Sequence, residues 1–149
     1  MRELGCSELH CAAGKVTSWT LTLTDLPTIT ENLLRNVLYN CGDRVHVKAL
    51  DWEDPPEDIP TGSFEVIIAS DILYDPHHPR LIVTMLEQYL KKNPDARIIL
   101  EFPLHPSHTS EVADFARRME TSFVLENSGV ESGRDDWDAE IEWVTYRFK

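Results

Sequence analysis

An aspartate and a tyrosine, Asp71 and Tyr74, directly follow the most apolar short run of the chain. Five of the six residues 64–69 are apolar or β-branched, which is typical of a strand buried on both faces. Ligands bind beyond the carboxyl ends of the strands in an open parallel sheet. We therefore expect a strand over residues 65–70 that brings Asp71 and Tyr74 to a cleft, where the carboxylate could accept a hydrogen bond from an amine. A structural alternative is that Asp71 caps a helix after Pro76.

Two further acids follow predicted strands. Asp25 ends the alternating run 20–24, and a carboxylate at such a strand end can accept hydrogen bonds from both hydroxyls of a ribose. Asp51 and Trp52 follow a predicted strand over 45–50, where the acid could accept from an adenine amino group and the indole could pack on a purine ring. The alternatives are that Asp25 belongs to a turn before a helix and that Trp52 is a core residue.

Residues 3–9 lie where a first strand would meet a ligand-binding turn. Repeated glycines at such a turn let the backbone approach a ligand closely. The chain has Glu3 and Gly5, but Ser7 and Leu9 stand where further glycines would be expected. The side chain of Leu9 would bring a branched group into that space.

The histidines and cysteines do not predict a metal site. His105 and His108 have a proline between them, and no acid lies at ligand spacing from them. Surface loop positions are therefore favoured for the four histidines His77, His78, His105 and His108. The three cysteines form no pair separated by two residues. Reduced thiols are expected, which favours a cytoplasmic location.

Strand and helix patterns alternate along the chain. Predicted strands cover residues 20–24, 45–50, 65–70, 96–102, 123–126 and 140–148. Predicted helices lie between most of them, ending at 40, 92 and 119. Such alternation predicts one α/β domain over residues 1–149, a Rossmann-like open and mostly parallel sheet with helices on both faces. The last two strands have no helix between them, so we expect an antiparallel hairpin whose final strand lies at or near a sheet edge.

The bulk properties limit the partners. The chain has 149 residues, 42% of them hydrophobic, and a net charge of −12. This acidity disfavours binding to nucleic acid and favours a neutral or basic partner such as a lysine-rich protein surface, although solubility alone is an alternative reason for it. No apolar run approaches the ~20 residues of a membrane span, so no membrane partner is expected.

Four segments in this order resemble one family. They are residues 3–6, 23–27, 51–52 and 69–74. Together they resemble the glycine motif, the ribose-binding strand, the adenine-contacting motif and the Asp-x-x-Tyr signature of the seven-β-strand S-adenosylmethionine-dependent methyltransferases. The similarity is to the protein-lysine methyltransferase branch, which includes fungal elongation-factor methyltransferases.

The resemblance implies transfer of a methyl group from S-adenosyl-L-methionine to a lysine of a protein, with a translation factor as a candidate substrate. It implies that Asp71 orients the amine and that Tyr74 shapes the substrate channel, with Asp25, Trp52 and Asp71 around one cavity. The resemblance also implies cofactor contacts for six residues: Glu3, Gly5, Asp25, Asp51, Trp52 and Ala69.

Family members carry a segment before the first strand, and Glu3 is almost the first residue here. We therefore expect the first strand and the N-terminal cap region to be largely missing. The rival hypothesis is a catalytically inactive, truncated domain that acts as an interaction module. An uncovered strand edge would favour pairing with another chain, so this hypothesis predicts a homodimer through that edge.

Overall fold

The structure is a computed structural model that describes residues 20–40, 45–132 and 140–149. The chain divides into two compact units, Met1–Pro56 and Glu57–Lys149. The single domain expected over the whole chain stays a prediction. Among the described residues, no helix has both the length and the hydrophobicity needed to cross a membrane.

The described residues of the first unit form a pair of parallel strands and one helix. Strand β1 (Leu21–Asp25) pairs in parallel with β2 (Val45–Ala49), and helix α1 (Thr30–Asn40) lies between them in sequence. Alternating β-branched residues favour the extended conformation of β1. Val37 is the buried residue of α1, whereas Leu38 is exposed. The predicted strand–helix–strand order is confirmed for this part of the chain.

The second unit contains a four-stranded sheet in the order β3-β4-β6-β5. Its strands are β3 (Val66–Ser70), β4 (Arg97–Pro103), β5 (Phe123–Ser132) and β6 (Glu140–Phe148). The pair β3–β4 is parallel, while β6 pairs antiparallel with both β4 and β5. The predicted α/β fold and the antiparallel C-terminal hairpin are therefore confirmed.

The predicted position of β6 at or near a sheet edge is confirmed, because β6 is the second strand from one side of the sheet. It has a neighbour on each side, and β5 forms the edge itself. Val144 and Tyr146 of β6 are buried, as expected for an interior strand. The alternation of residues in β6 predicts a strand but carries no information about which strands will pair with it.

Strand β5 is longer than predicted. Residues 123–126 were expected and the strand has ten residues, with a bulge between Leu125 and Asn127. A bulge places one extra residue in the strand and shifts the alternation of the residues that follow it. The residues after Glu126 therefore do not continue the alternation of residues 123–126, although the strand extends to Ser132.

Two helices cover the buried face of this sheet. Helix α2 (His78–Tyr89) begins near Pro79, and α3 (Thr109–Ser122) follows a single 3₁₀ turn at Pro106–His108. All residues of the predicted apolar stripe of α2 and its C-cap are buried: Leu81, Ile82, Met85, Leu86, Tyr89 and Leu90. Phe115 of α3 packs edge-to-face against Phe102 of the sheet, with 6.4 Å between ring centroids. These buried side chains hold together the elements β3, α2 and β4. Asp71 and Tyr74 lie between β3 and α2.

The other face of the sheet carries exposed apolar side chains. Val66 and Ile68 of β3 are 50% and 57% exposed, and Ile99 of β4 is 39% exposed. Alternation along β4 places Ile98 and Leu100 on the buried face. Unit Glu57–Lys149 thus has one packed sheet face and one with exposed apolar groups.

Candidate functional site

In the first unit, Asp25 and Asp51 lie at the same end of two neighbouring strands. Asp25 is the last residue of β1 and stands opposite Ala49 in the parallel register. The backbone N–H of Leu50 donates a hydrogen bond to the carbonyl of Asp25 at 2.9 Å. This bond extends the pairing one residue past β2, so Asp51 and Trp52 leave the sheet beside Asp25. The strands thus bring together three residues that the sequence had predicted to bind an adenosine.

Both carboxylates are held by local hydrogen bonds. Oδ1 of Asp25 accepts from the backbone N–H of Leu26 at 2.7 Å, and Oδ1 of Asp51 accepts from the N–H of Glu53 at 2.9 Å. Within the described part of the chain, the second oxygen of each carboxylate accepts no hydrogen bond. Each acid therefore keeps an acceptor for a ligand hydroxyl or amino group. Trp52, which directly follows Asp51, is half-buried.

In the second unit, Asp71 follows β3 directly and adopts a left-handed backbone conformation. Its φ is 53°, the only positive φ of a residue other than glycine among the described residues. Its backbone N–H donates to the carbonyl of Glu101 in β4 at 2.9 Å. Neither carboxylate oxygen of Asp71 accepts a hydrogen bond from a described residue, and the residue is exposed. The backbone of Asp71 is therefore bound to β4 while the residue remains exposed.

The residues after Asp71 alternate between anchors and exposed groups. Ile72 and Leu73 are buried, whereas Tyr74 is 59% exposed. The segment 71–74 is not helical. Its first and last residues, Asp71 and Tyr74, are exposed, and the two residues between them are buried. We refer to residues 71–74 as the acid–tyrosine segment.

The alternative in which Asp71 caps the next helix is wrong. The helix begins at His78, and the side chain that accepts near its start is that of Asp75, whose Oδ1 accepts from the backbone N–H of His77 at 2.8 Å. Asp75 accepts hydrogen bonds from the backbone N–H groups of both His77 and His78, so no bond from Asp71 is needed there. The carboxylate of Asp71 is thus left for another role.

His78 is a residue that the sequence analysis missed, because it was grouped with surface loop histidines. It is half-buried, its Nδ1 lies 2.9 Å from the carbonyl of Ile72, and its ring packs edge-to-face on Tyr74 with centroids 4.4 Å apart. A signal was present in the following Pro79, since proline favours the first turn of a helix and so places His78 at a helix start rather than in a loop.

The remaining predicted site residues stay predictions. Ala69 lies in β3, half-buried and opposite Leu100 of β4. Glu3 and Gly5 lie outside the described residues. In the described ranges, no group of three or more histidine, cysteine and acidic side chains is arranged to hold a metal ion. The expectation that the two groups of site residues surround one cavity also remains untested.

Comparison with curated proteins identifies two fungal relatives. Protein-lysine N-methyltransferase rrg1 of Schizosaccharomyces pombe is 35% identical over 130 residues, which covers 80% of this chain and 42% of the relative. Protein-lysine N-methyltransferase EFM2 of Saccharomyces cerevisiae is 36% identical over 124 residues, which covers 78% of this chain and 29% of the relative. The chain spans less than half the length of either relative.

Solved structures share the fold at low sequence identity. PH0226 protein from Pyrococcus horikoshii OT3 matches with a TM-score of 0.68 at 12% identity, covering 96% of this chain and 76% of that one. N-methyltransferase NodS from Bradyrhizobium japonicum WM9, solved with S-adenosyl-L-homocysteine, matches with a TM-score of 0.63 at 11% identity, covering 87% and 66%. At these identities the likeness shows the fold alone.

A family model described as lysine methyltransferase matches residues 5–122, which is more than half of the chain. The match includes both strand ends of the first unit and the acid–tyrosine segment of the second. The chain therefore belongs to the lysine methyltransferase family.

Proposed function

We propose that the protein transfers a methyl group from S-adenosyl-L-methionine to the side-chain amine of a lysine in a protein substrate. Members of the matched family act on lysine, and both curated relatives are named protein-lysine N-methyltransferases. Because the chain spans only part of these relatives, its activity, substrate and partners are our own proposals. A translation factor as the substrate and a cytoplasmic location belong to the same proposal.

The observation that carries the proposal is the hydrogen bond from Leu50 to the carbonyl of Asp25. This bond keeps Asp25 and Asp51 at the same end of two neighbouring parallel strands. An adenosine offers ribose hydroxyl donors, an amino donor and an aromatic face. The two available carboxylate oxygens and the half-buried indole of Trp52 match those three features. The residues present in this unit therefore fit the nucleoside part of S-adenosylmethionine.

Asp71 and Tyr74 are proposed to act on the substrate amine. The carboxylate of Asp71 can accept a hydrogen bond from the lysine nitrogen and so orient it, and much of the rate gain in such a transfer comes from positioning. Tyr74 presents an aromatic wall along which the aliphatic part of a lysine side chain can lie. When bound, S-adenosylmethionine supplies an electrophilic methyl group on a positively charged sulfonium.

The overall charge supports a cationic ligand and a basic substrate. With a net charge of −12, the protein attracts both a sulfonium and a lysine-rich surface. The same charge repels phosphate backbones, which disfavours nucleic acid as the methyl acceptor. Association with the protein substrate should accordingly weaken as salt is raised.

A second candidate function is a non-catalytic interaction module. Two observations favour it: in the described sheet β3 pairs with β4 alone, and Val66 and Ile68 of β3 are exposed. A strand edge with apolar neighbours is a site at which another chain can pair. On this hypothesis we propose that two copies of the chain form a homodimer through β3.

Calorimetric titration with S-adenosyl-L-homocysteine distinguishes the two candidates. A methyltransferase should bind it in the micromolar range and should label a purified translation elongation factor with methyl groups from radioactive donor. An absence of heat at millimolar ligand, together with a dimer mass by light scattering, would favour the interaction module and contradict the proposed activity.

Two aspartate variants of the first unit provide the matched control. Asp25→Ala should weaken binding by about tenfold or more, because hydrogen bonds to a charged acceptor are lost. Asp54→Ala removes the same charge from an exposed position of the same unit and should leave the affinity nearly unchanged. Equal weakening by both variants would mean that Asp25 acts only through net charge.

A further inference from the structure

His78 contacts the acid–tyrosine segment at two points. Its Nδ1 lies 2.9 Å from the carbonyl oxygen of Ile72, and its ring meets that of Tyr74 with centroids 4.4 Å apart and planes at 80°. A carbonyl oxygen only accepts hydrogen bonds, so Nδ1 must carry the proton and donate it. One side chain therefore holds both a backbone atom and the exposed aromatic ring of the segment.

Asp71 is bonded to β4 through its backbone N–H, and Ile72 and Leu73 are buried. Within the described residues, no hydrogen bond holds the side chain of Asp71 or of Tyr74. Asp71 has a φ of 53°, a conformation that side chains other than glycine adopt at a cost. Tyr74 is 59% exposed, so packing leaves much of its ring unconstrained. His78 itself belongs to α2, whose apolar stripe is fully buried. The histidine thus connects the exposed ring of Tyr74 and the backbone of Ile72 to a well-packed helix.

The side chain of His78 is not needed to start that helix. The carbonyl of Asp75 accepts from the backbone N–H of His78 at 3.0 Å, and Oδ1 of Asp75 accepts from the N–H of His77 at 2.8 Å. No side chain at the N-cap position, His77, makes a capping hydrogen bond. The first turn is therefore satisfied by Asp75, and the ring of His78 has a separate use.

We propose that His78 is a positioning residue for methyl transfer, which acts by holding Tyr74 and the backbone of Ile72 so that the acid–tyrosine segment is ordered before the lysine arrives. The inference rests on the proposed function. The role assigned to His78 is exercised through its contacts with Ile72 and Tyr74, and it requires no contact with the substrate.

Three substitutions separate the two contacts. His78→Ala removes both, His78→Asn keeps an N–H donor at the same number of bonds from the backbone, and His78→Phe keeps the ring. His77→Ala is the matched control, since it removes a neighbouring imidazole that makes no capping bond. Amide hydrogen exchange over residues 71–75 and steady-state methylation kinetics are measured on all four, with S-adenosyl-L-homocysteine affinity as a binding control.

We expect His78→Ala to speed exchange in residues 71–75 and to lower kcat about tenfold, with the KM for the methyl donor and the affinity for S-adenosyl-L-homocysteine unchanged. The asparagine and phenylalanine variants should each restore part of both effects. His77→Ala should behave as the parent protein.

Unchanged exchange in His78→Ala would overturn the inference, and so would a loosened segment with an unaltered kcat. Faster exchange throughout the chain would show a general structural role instead and would also overturn it. If the parent protein transfers no methyl group, the proposed function fails and so does the positioning of methyl transfer by His78. The exchange measurement still decides whether His78 holds the segment.

Discussion

The backbone N–H of Asp71 donates to the carbonyl of Glu101 at 2.9 Å while Asp71 itself adopts a left-handed conformation with φ of 53°. The residue is thus joined to the neighbouring strand and turned sharply at the same time. Residues held in such a conformation cost free energy and persist only where the surrounding structure imposes them. Aspartate tolerates this region better than most residues, which makes the site compatible with an acid.

Replacement of Asp71 should separate stability from turnover. Asp71→Gly relieves the left-handed conformation, although glycine also gains freedom in the unfolded chain. We expect a free energy of unfolding that is unchanged or higher by up to about 1 kcal/mol, together with a loss of turnover of about 100-fold. Denaturant unfolding and methylation kinetics measure the two effects. Asp71→Asn is the control, because it keeps the tolerance for positive φ and removes the charge; full turnover in either variant would refute the role of the acid.

The ends of β1, β2 and β3 were predictable from sequence to within one residue. Alternating or continuous apolar runs set the positions of β1, β2 and β3, and the acids that follow them stand where the runs end. The apolar stripe of α2 was predictable for the same reason, since a 3.6-residue period specifies one face. The placement of Asp25 and Asp51 at the same end of two neighbouring strands followed from the expectation of a parallel sheet.

Other features depend on contacts that are distant in sequence. The interior position of β6 is decided by which strands pair with it. The bulge at Glu126 interrupts the residue alternation of β5, so the length of this strand was not predicted from its sequence. Glu126 also joins Arg97 and Arg147 in ion pairs of 2.6 and 3.0 Å across three strands. The role of His78 depends on the carbonyl of Ile72, a backbone atom whose direction no residue type reveals. Local pattern therefore predicted the elements better than it predicted their neighbours.

Gly129 should resist replacement by any larger residue. It stands opposite Trp143 in the β5–β6 pair, and a Cβ built on it would lie 2.6 Å from Cζ2 of the indole. Gly129→Ala should lower the free energy of unfolding by about 1–3 kcal/mol, since the ring must shift. Chemical denaturation measures the change, and Ser128→Ala on the same strand is the control. The cost should shrink in a Trp143→Ala background; an equal cost there would show that the ring is not its cause.

Tyr89 carries a polar group that the fold does not use. Its side chain is 3% exposed, and its hydroxyl has no hydrogen-bond partner among the described residues. Burial, and then the charge of Asp58, raise the pKa of that hydroxyl. Tyr89→Phe should leave stability unchanged or increase it by up to about 1 kcal/mol, because an unsatisfied buried hydroxyl is removed. Thermal and denaturant unfolding test this, with Tyr89→Leu as the control that also loses the edge-to-face contact with Phe64. A clear loss of stability in the phenylalanine variant would reveal a hydrogen bond made by the hydroxyl.

Asp114 should contribute to stability only above acidic pH. The hydrogen bond from Arg118, Nε to Oδ2 at 2.7 Å, and a second bond from Arg117 lower the pKa of the Asp114 carboxyl. At pH values between the lowered pKa and the ordinary pKa, the unfolded chain binds more protons than the folded one. The stabilisation by the ionised Asp114 carboxylate is therefore complete above the ordinary pKa, and it is lost as the pH falls through the lowered pKa. Asp114→Asn should therefore be less stable than the parent protein at neutral pH, and the difference should narrow as the pH falls below about 4. Urea unfolding at several pH values measures the difference, with Asp95→Asn at an exposed position as the control. A difference that stayed constant down to the most acidic pH would show that Asp114 acts through packing rather than through its charge.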